Sequence, residues 1–479
     1  MSFSFSLSRR LTALSFLLVA CVPHAERVAH DRFVERASAR EDEALPPLDG
    51  SLDAYVAHAL RASPSVDAAF ERWRAAEARI GTRRRWPRPQ LTYAALVRPV
   101  ETRVGPQRQR VGARLPIAWP SQLRSGAQMG AALAQAEAER FEAELVRLRA
   151  RVAEAYWPLW LLERRAETLD AELALLDGVA EGLRARLPTG QASLAHVQLV
   201  ELRRARVADL RASLSPARRR FEASLRAAVG LDPNVAIPVA AATPSLDGLP
   251  NESELLAWAA ARPDVRAHEA LAQANEASEA NAAARRWPDL ALGVEWMETG
   301  PARMPNVAGD GDDAWMIGVT VGVPVDLGAL DDERRAARAE AAAHRADGRA
   351  NVLAATMEVQ SALADLDDAR RRVALHEEQL LPAAEGAWEA TTGAFATSRA
   401  SLADVLLAAR ELVELRFGLD EARVNFARAW ARLEAAVGRA IDGVGERDRE
   451  PAREGATERA GEAEPNEETP PSVEGEVAS

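Results

Sequence analysis

The sequence predicts a mainly α-helical protein with a small β part, in which long helical hairpins are duplicated in tandem and each copy also carries a pair of β-strands. Three observations predict this. The stretch "ASLAHV" at Ala192–Val197 recurs as "ASLADV" at Ala400–Val405, an offset of 208. The echo extends well beyond six residues: Pro64 and Pro89 recur as Pro263 and Pro288 at an offset of 199, and Pro116 and Gly230 recur as Pro324 and Gly438 at 208. The extra residues therefore all fall between Pro288 and Pro324, so the chain is a duplication with one lengthened loop. Finally, within each copy the apolar pattern switches from helical spacing to strict alternation and back.

The chain of 479 residues is 48% hydrophobic and 28% charged, with a net charge of -12, a length that would hold two or three ordinary domains. It opens with an export signal over 1–20. Arg9 and Arg10 form the basic region, Leu11 to Ala20 the short apolar one, and Cys21, the only cysteine, follows at once. Leu18-Val19-Ala20-Cys21 resembles a bacterial lipobox, in which the cysteine becomes the acylated first residue of the mature protein. Each buried acyl CH₂ contributes about 0.8 kcal/mol, so several chains make a firm anchor. A single cysteine also leaves no disulfide framework. Residues 21–50 read as a polar linker from that anchor.

The first structural repeat spans 51–230. Leu52 to Arg85 is Ala-rich with apolar residues at helical spacing, and Asp53 suits a helix N-terminus. A strand hairpin over 90–117 follows, because Val111, Ala113, Leu115 and Ile117 alternate with Arg110, Gly112 and Arg114. A long helical hairpin over 121–229 completes the repeat. Its residues are strong helix formers, broken at Leu187-Pro188-Thr189-Gly190. An inter-repeat linker covers 231–250.

The second repeat, 251–438, runs through the same order. Ser253 to Arg286 is helical, with Glu252 near its start. The strand hairpin lies at 289–325, with Leu290, Leu292, Val294 and Trp296 on one face of its first strand and Ile317, Val319, Val321, Val323 and Val325 on one face of its second. The long helical hairpin occupies 331–437 and turns near Ser398. Residues 439–479, rich in Glu, Arg, Pro and Gly, read as a disordered acidic tail.

Two hairpins give four strands of roughly nine or ten residues, the length of a membrane-crossing strand. Four strands cannot close, and open edges in lipid leave backbone groups unpaired, so several chains must share one barrel if these strands cross a membrane. The alternative is a soluble sheet covered by its own helices. Trp86 and Trp287, in the two "RRWP" stretches just before the strands, fit either a membrane-interface girdle or a helix-to-strand junction. The neighbouring arginines, Arg83 to Arg85 and Arg285 to Arg286, suit helix C-termini.

The duplicated order of helices, strand hairpin and long helical hairpin, the Pro-x-Leu entries at Pro89 and Pro288, the glycines that end each repeat and the turns at Gly190 and Ser398 together resemble the TolC family of outer-membrane efflux channels, over roughly Leu52 to Gly438. The resemblance implies a homotrimer: four strands per chain closing a 12-stranded β-barrel in the outer membrane, continued by an α-helical barrel in the periplasm. It further implies a passive exit duct for a tripartite efflux pump or a type I secretion system, opened when a periplasmic adaptor docks and working with an inner-membrane transporter.

By the same resemblance, the turns Gly190 to Ser193 and Ser398 to Ser401 are the tips that meet the adaptor. Family members often carry tyrosine, two residues and glycine there; this chain has Phe395 and Ser398, a turn without glycine's freedom at positive φ. Some members also carry Asp-Val-Leu-Asp just past the second tip. Here the stretch reads Asp404-Val405-Leu406-Leu407 and keeps only the first carboxylate. Three copies of Asp404 on a threefold axis would form a pore constriction that favours cations and raises the pKa of at least one acid. Otherwise Asp404 is a solvated charge. His196, its counterpart in the first repeat, is expected off that ring.

Other chemistry finds no support. The seven histidines (His24, His30, His58, His196, His268, His344 and His376) show no metal-binding spacing, and no phosphate loop or nucleophile elbow occurs, so no enzyme activity, cofactor or metal is expected. "GDGDD" at Gly309 to Asp313 lacks EF-hand spacing and reads as an acidic surface loop. The basic residues are all arginine, which reads as coding bias, and the acidic balance argues against nucleic acid. The competing functional reading is a lipid-anchored periplasmic coiled-coil scaffold or adaptor without a pore.

Overall fold

Long segments of Ala, Leu, Glu and Arg fold as helices that pack side by side, and the two alternating segments of each repeat fold as one sheet. The computed structural model describes residues 24–41, 45–240 and 248–441. The export segment 1–20, Cys21 and the tail beyond 441 lie outside the described residues. The described residues divide into two units, the larger within Met1–Leu246 and Pro250–Ala440. The elements below all belong to the larger unit.

In chain order these are α1 (His24–Glu41), α2 (Leu52–Ala62), α3 (Pro64–Arg83), β1 (Gln90–Thr102), β2 (Gly105–Ile117), α4 (Pro120–Arg186) and α5 (Leu194–Val229). The second repeat supplies α6 (Glu252–Ala260), α7 (Pro263–Ala284), β3 (Asp289–Thr299), β4 (Ala314–Gly322), α8 (Leu327–Leu375), α9 (Leu381–Ala396) and α10 (Leu402–Val437). Each helix predicted before a strand hairpin is split in two. Pro64 and Pro263 sit at the first turn of α3 and α7, where a missing N–H costs nothing. A five-residue π-turn at His376–Leu380 separates α8 from α9. It lies just before Pro382, whose ring nitrogen cannot donate to the carbonyl four residues back.

Helix α4 has 67 residues and so runs ~100 Å. It packs against α3, α5, α7 and α10. Its buried Phe141, Tyr156, Trp157 and Trp160 meet Tyr55, Trp73, Leu225 and Val424 in the main core. The Tyr55 hydroxyl donates to the Pro238 carbonyl at 2.7 Å and that of Tyr156 to the Gly50 carbonyl at 3.0 Å, which fastens the described part of the inter-repeat linker to the start of α2. Burial pushes both phenols up to about 12.

Residues 24–41, read from the sequence as linker, are a helix. α1 has few apolar residues, hence no helical stripe, and is held by ion pairs and by Phe33, whose ring meets both Phe70 and Trp73. Arg32 reaches the buried carboxylate of Glu139 at 2.9 Å, and Phe33 stacks on Phe70 with ring centroids 5.6 Å apart.

The sheet order is β1-β2-β3-β4, antiparallel throughout, so the two hairpins meet where β2 pairs with β3. β4 ends at Gly322, and Val323 and Val325, expected in it, lie beyond. Pro324 between them has no N–H to give a ladder.

Candidate functional site

Directly paired residues point to the same side of a sheet, so the register assigns its faces. One row runs Leu91, Ala113, Val294, Ile317, and the next runs Tyr93, Val111, Trp296, Trp315. Leu115, Leu292 and Val319 form a third row, and Ile117, Leu290 and Val321 a fourth. This face is apolar over its whole width, and Ile317 is 83% exposed. The opposite face carries Thr92, Gly112, Glu295 and Met316 in one row and Ala94, Arg110 and Met297 in another, with Arg110 and Glu295 paired at 3.4 Å. Among the described residues nothing pairs with the outer edges of β1 and β4.

Aromatic rings bound the apolar band at both ends. At the loop end the row of Tyr93, Trp296 and Trp315 gives way to polar contacts: Gln109 bonds Glu298, and the Trp296 indole donates to Asp313 at 3.1 Å. At the helix end stand Trp86, 48% exposed, and Trp287, 62% exposed. Trp119, which the sequence reading passed over, packs on Trp287 with centroids 6.2 Å apart and donates to the Pro288 carbonyl at 2.8 Å. Tyr93, Trp296 and Trp315 were legible only as alternating strand residues, because their alignment in one row depends on register. The acidic loop folds back on the first hairpin. Asp313 accepts from the Thr299 amide, and the Gly311 amide donates to the Val104 carbonyl, both at 2.9 Å.

At the far end of α4 the two turns come together. Leu402 of α10 is buried in one cluster with Leu183 and Val197, and the Arg186 guanidinium stands 5.6 Å from the Phe395 ring centroid. The two turns share one geometry. In the first, Gly190 has φ 72° and the Gln191 amide donates to the Arg186 carbonyl. In the second, Ser398 has φ 57° and the Arg399 amide donates to the Ala394 carbonyl. Both are Schellman closures, and serine takes the left-handed position that glycine holds in the first repeat.

Ser193 and Ser401 then cap α5 and α10, their hydroxyls accepting from the amides of His196 and Asp404. The repeats differ at this third helical residue. Asp404 completes a capping box, its carboxylate accepting from the Ser401 amide at 2.8 Å and the Ser401 hydroxyl at 2.7 Å. These bonds, the hydroxyl's first, hold the Asp404 carboxyl below its ordinary value of 3.8 within the single chain. Asp404 and His196 are both exposed. His268 and His344, remote in sequence, face one another across α7 and α8.

The geometry defines a class: a chain with an open amphipathic sheet at one end of long paired helices and two turns clustered at the other. Residues 257–439 match the family model described as outer membrane efflux protein. The fold is similar to that of the outer membrane protein VceC from Vibrio cholerae, with a TM-score of 0.63, 20% identity, and coverage of 82% of this chain and 97% of that one. It is similar to the MtrE outer membrane channel of Neisseria gonorrhoeae in its open state at TM-score 0.64 and 18% identity, covering 82% and 90%. For the CmeC outer membrane channel of Campylobacter jejuni the values are 0.64 and 14%, covering 81% and 85%. No curated protein matches the chain significantly by sequence. These comparisons agree with the resemblance to the TolC family: most of the second repeat matches the outer membrane efflux protein model, and the chain as a whole has the fold of the outer-membrane efflux channels.

Proposed function

We propose that three copies of this chain close a 12-stranded barrel in the outer membrane and form a passive exit duct for a tripartite efflux pump or a type I secretion system. The observation that carries the reading is the sheet itself, apolar across one face, with Arg110, Arg114 and Glu295 on the other, and unpaired at both edges among the described residues. An edge strand in lipid leaves backbone groups unsatisfied at several kcal/mol each, and barrels begin at about eight strands. Three sheets joined edge to edge supply twelve and leave no edge. The aromatic bounds support this. Trp287 and Trp296 are nine residues apart, about 30 Å of strand, and a tilt of about 35–45° brings that close to the ~25 Å apolar band of such barrels. In this reading Trp86 and Trp287 sit at the periplasmic interface.

The clustered turns support adaptor docking at Gly190, Ser193, Ser398 and Ser401, with opening coupled to that contact and an inner-membrane transporter supplying the cargo. Asp404 near the second turn is assigned the pore constriction. Cys21 is assigned the lipid anchor, with the helices in the periplasm.

The test is the native mass of the protein extracted from membranes in mild detergent, with bound detergent subtracted, followed by conductance in a planar bilayer. Three chains and a conducting pore are expected. A monomer that turns soluble on Cys21→Ser, with no conductance, would instead identify a tethered scaffold. For the constriction, Asp404→Ala is expected to weaken block by multivalent cations, and unchanged block removes Asp404 from the pore.

A further inference from the structure

The facing imidazoles of His268 and His344 are the feature that the channel reading leaves unused. His268 lies on α7; His344 and Asp347 lie three residues apart on α8 and so share a helix face. One nitrogen of each imidazole and one carboxylate oxygen of Asp347 lie within 4.8 Å of one another. The ring centroids are 5.8 Å apart with planes inclined by 46°. Close helix packing brings them together, since Gly348 is buried and a Cβ placed on it would stand 3.6 Å from the His268 Cβ.

The protein leaves one nitrogen of each ring without a partner. Nδ1 of His268 and Nδ1 of His344 are both shielded from solvent and have no hydrogen-bond partner, whereas nearly all buried polar atoms in folded proteins have one. Two facing imidazoles, each with an unpartnered nitrogen and with a carboxylate beside them, are a donor set for a borderline divalent ion. Imidazole suits zinc, nickel, cobalt and copper, while calcium and magnesium call for oxygen alone. Ligand bonds of about 2.0–2.2 Å would draw the three donors to within about 3.5 Å of one another, a change that side-chain rotation on fixed helices can supply. Asp347 is exposed, so the remaining coordination positions open to water.

We propose that His268, His344 and Asp347 bind one divalent first-row transition-metal ion per chain and thereby clip α7 to α8. The ion is a structural ligand of the second repeat, and the assignment stands whether or not the chains trimerise.

The test uses the untagged full-length protein in detergent, treated with EDTA and then titrated with Co²⁺, whose d–d absorption reports coordination by nitrogen and oxygen. One equivalent per chain is expected, displaced by Zn²⁺, with Zn²⁺ raising the melting temperature. His268→Ala and His344→Ala are each expected to weaken binding by at least about tenfold and to abolish the thermal shift. His376→Ala, at the exposed π-turn, should leave both intact. Helical circular dichroism of each variant in EDTA separates loss of the site from loss of the fold, and Asp347→Asn provides a milder variant on the same face. Failure to bind one equivalent, or binding that survives both histidine substitutions, overturns the assignment.

Discussion

Ser398 and Gly190 occupy the same place in the two long hairpins, 208 residues apart, and both adopt positive φ. Each is followed by an amide that donates back to the helix it ends, at 2.8 Å after Ser398 and 3.2 Å after Gly190. The closure is common to both turns, but serine has a Cβ that crowds the left-handed region by about 1 kcal/mol. Ser398→Gly is expected to stabilise the second turn by about 0.5 kcal/mol, since glycine's larger unfolded-state entropy offsets part of the relief. Gly190→Ala should weaken the first by about 1 kcal/mol. Amide exchange at Arg399 and Gln191 reads both: slower in the first variant, faster in the second.

The difference between His196 and Asp404 has a local consequence as well as the one proposed at the pore. Asp404 closes the capping box of α10, and His196, at the same position in α5, donates only its amide. Because the Asp404 carboxyl is held below 3.8, its contribution is fully present above that value and is lost as the pH falls through the lower value of the folded state. Exchange protection at the start of α10, corrected for intrinsic rates, should therefore fall on acidification in the native protein. In Asp404→Asn it should already be reduced at neutral pH and change little with acid. A flat native profile would mean that the carboxylate contributes nothing to the cap.

Periodicity made the repeats and the sheet legible, because both leave their spacing in the order of residues. The rows formed by Leu91 with Ile317 and by Tyr93 with Trp315 were legible only within each strand, since register between β2 and β3 joins segments almost two hundred residues apart. α1 is not legible in the sequence because its hold on the core rests on the single ring of Phe33 and on the ion pairs of His30, Arg32 and Arg36, in an otherwise polar stretch. At the candidate site, the matching positions of the two turns followed from the repeat offset, whereas the caps of Ser193 and Ser401 came only with the structure. The positive φ of Ser398 did not follow, because serine, unlike glycine or asparagine, does not favour the left-handed region. The His268–His344 pair depends on how α7 packs on α8, which no local spacing encodes.

The buried carboxylate of Glu139, 2% exposed, joins three elements, because it takes Arg32 of α1 at 2.9 Å, Arg266 of α7 at 2.7 Å and Gln135 of α4 at 2.6 Å. Loss of the arginines and loss of the carboxylate should differ. Arg32→Ala leaves Glu139 with Arg266 and is expected to cost about 1 kcal/mol, mainly by freeing α1. Arg32→Ala together with Arg266→Ala leaves a buried charge without a cation and should cost about 3–5 kcal/mol, more than the two single effects added. Glu139→Gln should fall between them, since both half-exposed guanidinium groups can turn to water. Denaturant unfolding of the native protein, Arg32→Ala, Arg266→Ala and the double variant forms the cycle, and simple additivity would argue against a shared site.

The two faces of β4 offer a comparison on residues three positions apart. Ile317 stands in the apolar row with Val294, and Thr320 points to the opposite side beside Ala291. If the apolar face meets lipid, a charge at Ile317 lies within the hydrocarbon band, where lysine or arginine costs about 2–4 kcal/mol near the midplane of a barrel. Ile317→Lys should then sharply reduce the assembled fraction, read as the heat-modifiable oligomer on a gel and as conductance. Thr320→Lys projects into the polar side, where water can solvate the ammonium, and assembly should survive while ion selectivity shifts toward anions. In a soluble sheet the ordering would not hold: Ile317 is already 83% exposed in the single chain, so a lysine there would cost little without lipid or a covering partner. Equal assembly of the two variants would sink the assignment of the apolar face to the membrane.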